Sequence, residues 1–200
     1  MKLTTLLVSL AAIAPTILGA SIHRNAGKAL QIRLNENVDN SYDDSRIKDF
    51  HDKQLLSKMK EYFLTFVLGD FDGMYDLQSE DFHITDIPLA IVRADRDSWY
   101  QANKGFSSLM TDVKVQAISI DGSSKPGKFG IMENVVWFTL AVDPPESAKP
   151  GLPPGIKKGD TAGMIMTSLI WWNKEGKVMR DLEYGKLTWP GFDIDAFTQV

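Results

Sequence analysis

Tyr62 and Asp86 are the side chains of this chain whose types and settings best suit acid–base chemistry. Asp86 closes the alternating run Phe82-His83-Ile84-Thr85-Asp86, just ahead of Ile87-Pro88. On a strand, Phe82, Ile84 and Asp86 share one face and His83 and Thr85 the other. If the first face meets a cavity, its apolar neighbours raise the carboxyl pKa and suit Asp86 to act as a base near neutral pH. The alternative is an aspartate that caps the turn before Pro88. Tyr62 falls on the apolar face of a helix. A buried tyrosine hydroxyl needs a partner, either a ligand oxygen or a backbone carbonyl.

Further polar residues sit in apolar runs. In the last strand Met179, Asp181 and Glu183 share one face, and Val178, Arg180, Leu182 and Tyr184 the other. Hydrophobic patterning alone turns the second set inward. Glu133 and Asn134 interrupt the apolar stretch Phe129 to Val142, one on each face, with Glu133 beside Val135, Trp137 and Thr139. Either residue orients a ligand, or marks a sheet edge or subunit contact. The aromatics Trp99, Trp137, Phe138, Trp171 and Trp172 mostly build core, with a few lining a pocket for a flat apolar ligand. Met164 and Met166 add adaptable surface to that pocket. His23, His51 and His83 show no metal-ligand spacing, so no metal is expected.

Apolar periodicity predicts a helix from about Ser45 to Leu68, with Leu55, Met59, Tyr62 and Phe66 on one stripe and Gly69 as its stop. Asp70 to Leu77 is a second short helix, and Phe82 to Asp86 a strand. Asp95 or Asp97 caps a third helix whose stripe is Trp99, Ala102, Phe106, Leu109 and Met110. Strands follow at Val113 to Ile120, Phe129 to Val142, Thr161 to Trp172 and Lys177 to Leu187, the last two joined by the turn Asn173 to Gly176. The Pro/Gly/Lys-rich stretch Asp143 to Asp160 is read as a mobile loop edging the pocket or sheet end. Helices followed by antiparallel strands give an α+β domain.

Composition narrows the function classes. Lys2 precedes the apolar run Leu6 to Leu18, and Leu18-Gly19-Ala20 offers a small-residue cleavage site. Residues 1–20 therefore read as a secretory signal peptide, too short to span a membrane. Of 200 residues, 180 remain, enough for one domain with a tail, and the formal net charge moves from −4 to −5 with the loss of Lys2. A mildly acidic chain without a basic stripe argues against nucleic acid. With no cysteine, thiol catalysis and zinc–thiolate sites are excluded. Residues 21–45 are polar and aperiodic, a flexible extension or propeptide, and residues 46–200 form the domain, expected to be extracellular.

The stretch Tyr62 to Pro88 resembles the opening of a ketosteroid-isomerase-type domain: a helix carrying a tyrosine, the turn Gly69-Asp70-Phe71-Asp72-Gly73, a short helix, and a strand ending in aspartate before proline. Trp171 to Tyr184 is similar to the closing hairpin of the same superfamily, which includes SnoaL-like polyketide cyclases, scytalone-type dehydratases and nuclear transport factor 2. The resemblance covers roughly residues 46 to 188. It implies a cone-shaped curved antiparallel sheet wrapped around three N-terminal helices, with an internal pocket. It also implies Asp86 as proton shuttle, Tyr62 as oxygen-polarising donor and no cofactor. Aligned on the hairpin, Asp181 and Glu183 face the cavity, so three carboxyls would perturb one another there. Isomerases of this kind carry a protonated aspartate where this chain has Ser168. That departure counts against steroid isomerisation, and the lack of a histidine pair counts against scytalone-type dehydration. The expected partner is a small apolar molecule, acted on by an isomerase, dehydratase or cyclase. The alternative is a non-catalytic secreted binding or dimerisation module, because one fold hosts many functions. A homodimer is expected through the outer sheet face, near Val136, Phe138 or Leu169.

Overall fold

The computed structural model describes residues 39–146 and 152–189. The expected signal peptide, most of the expected extension and the tail beyond Trp189 lie outside the described residues. The elements are β1 (Ser41–Asp43), α1 (Lys53–Leu68), α2 (Phe71–Leu77), β2 (Gln78–Asp86), β3 (Ile91–Asp95), α3 (Arg96–Ser107), β4 (Met110–Gly122), β5 (Phe129–Leu140), β6 (Thr161–Trp172) and β7 (Val178–Thr188). The fold is α+β: three helices against one open curved sheet. No helix among the described residues is long and apolar enough to cross a membrane.

Local chemistry sets the helix ends. α1 begins at Lys53, eight residues later than its periodicity predicts, because the Asp52 side chain accepts the Leu55 amide at 2.9 Å. Upstream, Asp49 has φ 55, which no helix tolerates. At the other end Gly69 adopts φ 68, and its amide and that of Asp70 return to Phe66 and Thr65 carbonyls. Asp70 then caps α2 through the Gly73 amide at 3.0 Å. Asp95, and not Asp97, caps α3, accepting from the Ser98 amide at 2.8 Å.

The seven strands run in the order β1-β4-β5-β6-β7-β2-β3. The central β4-β5-β6-β7 meander is antiparallel as expected, but β1 joins β4 in parallel and β2 joins β7 in parallel. Ser41–Asp43, read from the sequence as extension, thus serves as an edge strand. β3 is an edge strand that has no counterpart in the sequence reading. Side chains of α1 and α3 pack on the concave face, where Leu55, Met59, Phe63 and Trp99 meet Val115, Met132, Val136 and Ile170.

Register across the sheet builds the interior. In the parallel pair Asp86 stands opposite Glu183, and in the next pair Glu183 stands opposite Ser168. Three polar residues therefore lie side by side on three adjacent strands. A bulge decides that alignment. Trp172 opposes Val178 and Trp171 opposes Arg180, leaving Met179 as the extra residue. Val178 points inward, as patterning expects; past the bulge the alternation changes phase, and Asp181 and Glu183 also point inward.

Candidate functional site

Between the helices and the sheet lies a cavity of about 90 Å³. That is several times the ~10–15 Å³ that one water occupies, so it has room for an organic molecule. Its wall is almost wholly apolar: Phe63, Phe66, Trp99 and Phe106 from the helices, and Val136, Phe138, Met164 and Met166 from the sheet. Pro144, Pro145, Leu152 and Trp189 also line it, so the Pro-rich loop does edge the pocket. Against this wall stand Tyr62, Asp86, Asp181 and Glu183. Among the described residues, no Lys, Arg or His is part of the lining.

All four polar groups are buried and interlinked. Gln78 Nε2 donates to Tyr62 Oη at 3.2 Å, and Tyr62 Oη donates to Asp181 Oδ2 at 3.2 Å. On the other branch Asn134 Nδ2 donates to Ser168 Oγ at 3.0 Å, and Ser168 Oγ donates to Glu183 Oε1 at 3.2 Å. Glu183 stands opposite Asp86 on the neighbouring strand, and the two carboxyls perturb each other's ionisation. The Leu89 amide also donates to Asp86 Oδ1 at 2.9 Å. Asp86 thus does both things the sequence allows: it caps the turn after β2 and lines the cavity.

Burial governs the acid–base state. Removal from water pushes the Asp86 carboxyl up, while the hydrogen bonds from Glu183 and Leu89 pull it back toward the ionised form. Asp181 is pushed well above the carboxylate range by burial and then by the charge of Asp86. Glu183 is pushed well above it by burial and by Asp181 and Asp86, and its bond to Asp86 favours keeping the proton on Glu183. Tyr62 is likewise held neutral by burial and by Asp181. All three carboxyls are thus raised, Asp181 and Glu183 further than Asp86, and they titrate as one coupled set. Such a set brings carboxyls of raised and unequal basicity together in an apolar space, which suits proton transfer.

The remaining residues singled out from the sequence divide by sheet face. Trp99 and Met166 line the cavity. Ser168 lies behind the wall as the support of Glu183, fully buried. Glu133 does not belong to the site. It is exposed on the outer face, where Ser119 Oγ donates to its Oε2 at 3.1 Å. Trp137 is also outward, because its neighbours Val136 and Phe138 line the cavity and side chains alternate. For the same reason Val136 and Phe138 cannot form a subunit contact on the outer face. Asn134 is the inward partner of that polar pair and joins the network. Gln78 had no signal in the sequence, since a lone glutamine at a helix–strand junction is ordinarily solvated. No group of three or more histidine, cysteine or carboxylate side chains among the described residues is placed to hold a metal ion.

No protein-family model and no curated protein matches the chain by sequence. Solved structures match it in fold. IdmH, a proposed polyketide cyclase from Streptomyces antibioticus, superposes with TM-score 0.52 at 16% identity, over 66% of this chain and 91% of its own. A proposed polyketide cyclase from Xanthomonas campestris pv. campestris gives 0.50 at 17%, over 72% and 94%. A Mycobacterium tuberculosis protein in complex with estradiol-17beta-hemisuccinate gives 0.50 at 14%, over 68% and 98%. At such identities the likeness establishes the fold, and the fold is the cone of SnoaL-like and nuclear transport factor 2-like proteins.

Proposed function

We propose that this protein binds a small apolar metabolite in the cavity and acts on it without a cofactor, as an isomerase, dehydratase or cyclase. The observation that carries the reading is the joining of Asp86, Asp181, Glu183 and Tyr62 on one apolar cavity. Asp86 is the base: burial raises its basicity above that of an ordinary carboxylate, while the Leu89 amide and Glu183 favour its ionised form. The Tyr62–Asp181 pair is the donor that polarises a ligand oxygen. The steroid derivative held by the Mycobacterium tuberculosis protein of the same fold supports an apolar, ring-sized ligand. Native mass spectrometry of protein purified from its source tests this by asking what co-purifies. The recovered molecule is then incubated with the protein and with Asp86→Asn. Conversion seen by NMR or mass, and lost in the variant, is the expected result.

One observation favours the second reading, a binding module without turnover. Asp86 Oδ1 already accepts the Leu89 amide, which lowers its basicity. A ligand bound and recovered unchanged would establish that reading. We further propose export through residues 1–20, tested by N-terminal sequencing of the secreted form, and homodimerisation through the outer sheet face. That face carries Ile131, Ile165, Leu169 and Leu182, on the strand faces opposite the cavity.

A further inference from the structure

One branch of the buried network runs away from the cavity, and its hydrogen bonds have a fixed direction. Asn134 on β5, Ser168 on β6 and Glu183 on β7 cross three adjacent strands, at 0%, 0% and 7% exposure. Asn134 Nδ2 donates to Ser168 Oγ at 3.0 Å and to the Met132 carbonyl at 3.3 Å. Turning the amide over would set its oxygen against that carbonyl, so the second contact keeps the nitrogen on the serine side. An amide nitrogen only donates. The Ser168 hydroxyl therefore accepts from Asn134, and its single hydrogen goes to Glu183 Oε1 at 3.2 Å. With Oε1 receiving that hydrogen bond, a proton carried by Glu183 belongs on Oε2. On its other side Glu183 faces Asp86 of β2, and a side-chain hydrogen bond joins the two. Asn134 Oδ1 is buried without a partner. An unpaired buried acceptor costs free energy, and an apolar side chain of similar size would avoid it. Packing alone does not account for an asparagine here.

We propose that Asn134 is a positioning residue for Asp86: acting through Ser168, it turns the Glu183 proton toward Asp86 and so makes Asp86, and not Glu183, the base of the pair. The inference rests on the reading of Asp86 as base and names the residue that selects it. Asn134 acts from a distance. Two strands, β6 and β7, lie between β5 and β2, which puts β5 about 14 Å from β2 at the ordinary strand spacing. The other titratable groups that bear on this pair are Asp181, from the same face of β7, and Tyr62, from α1. Without the Asn134 amide, the Ser168 hydroxyl can accept as readily as donate. Glu183 can then turn its proton to Ser168, and Asp86 loses a donor that favours its ionised form.

Carbon-detected NMR tests this by following the carboxyl carbons of Asp86 and Glu183 through a pH titration of the full chain, with no ligand added. In the unaltered protein Asp86 is expected to ionise at lower pH than Glu183. In Asn134→Leu, which keeps a similar volume, the Asp86 midpoint is expected to rise and the gap between the two to narrow. Ser168→Ala is the contrast. It removes the donor to Glu183 without freeing an acceptor, so the Glu183 midpoint is expected to rise and the gap to widen. Should Asn134→Leu fail to fold by circular dichroism, Asn134→Ala carries the same expectation. A loss of stability in the Asn134 variant with the gap unchanged is what packing alone gives. That result overturns the inference and leaves Asp86 as the base. Glu183 ionising before Asp86 in the unaltered protein, or Asp86 ionising at or below its ordinary 3.8, overturns both.

Discussion

Tyr62 Oη, from the middle of α1, donates to Asp181 Oδ2, from β7, across 3.2 Å and 119 residues of sequence. The same hydroxyl accepts from Gln78 Nε2. One phenol therefore satisfies a buried amide and a buried acid at once.

Removing it leaves both unpaired. Tyr62→Phe is expected to lower the unfolding free energy by about 1–3 kcal/mol, the cost of buried polar groups without partners. Urea denaturation of the two proteins measures it. An unchanged midpoint would mean that water replaces the hydroxyl.

The buried acids make stability depend on pH. Asp86, Asp181 and Glu183 all hold protons to higher pH in the folded state than at their ordinary values of 3.8, 3.8 and 4.5. Above that range the unfolded chain binds fewer protons than the folded one, so stability falls as pH rises toward the raised values. The thermal midpoint is expected to be higher at about pH 5 than at about pH 8. A flat or rising profile over that interval would show that the acids titrate normally.

Glu183 offers the sharper contrast. Glu183→Gln keeps an acceptor for Ser168 and a donor for Asp86 and has no charge to bury. It is expected to retain stability at about pH 5 and to reduce the loss at about pH 8. Glu183→Ala strands both partners and is expected to cost about 2–4 kcal/mol at either pH, from an unpaired hydroxyl and a lost packing volume. Equal behaviour of the two variants would show that Glu183 makes no hydrogen bond to Asp86.

The proposed dimer makes its own demand on the outer face. Leu169→Lys is expected to turn a dimer into a monomer at micromolar concentration, with the fold intact by circular dichroism. Sedimentation velocity reads the change. A wild-type chain that already sediments as a monomer would remove the dimer.

Most of the frame was legible because it is written in local chemistry. Gly69 and Asp70 punctuate α1 and α2, Asn173 and Gly176 turn the last hairpin, and the apolar stripe with Tyr62 turns toward the sheet. That Asp86 and Tyr62 reach one cavity was legible only through resemblance. The face of Asp181 and Glu183 was not legible from alternation, since the extra residue at Met179 changes its phase and such an insertion leaves no composition signal. Glu133 and Asn134 were separable only once the register with Met166 and Thr167 of β6 was known. β1 was hidden because three polar residues become a strand only by pairing with β4.

β7 is a single layer of chain with two audiences. Asp181 and Glu183 look into the cavity, and Leu182, between them, looks out of the molecule beside Leu169. Nothing but the peptide backbone separates the two sides, and a carboxyl held by one hydrogen bond moves with the backbone that carries it. Whatever packs on Leu182 from outside therefore lies one layer of chain from both acids, and the outer face of β7 cannot be redesigned without regard to the inner one.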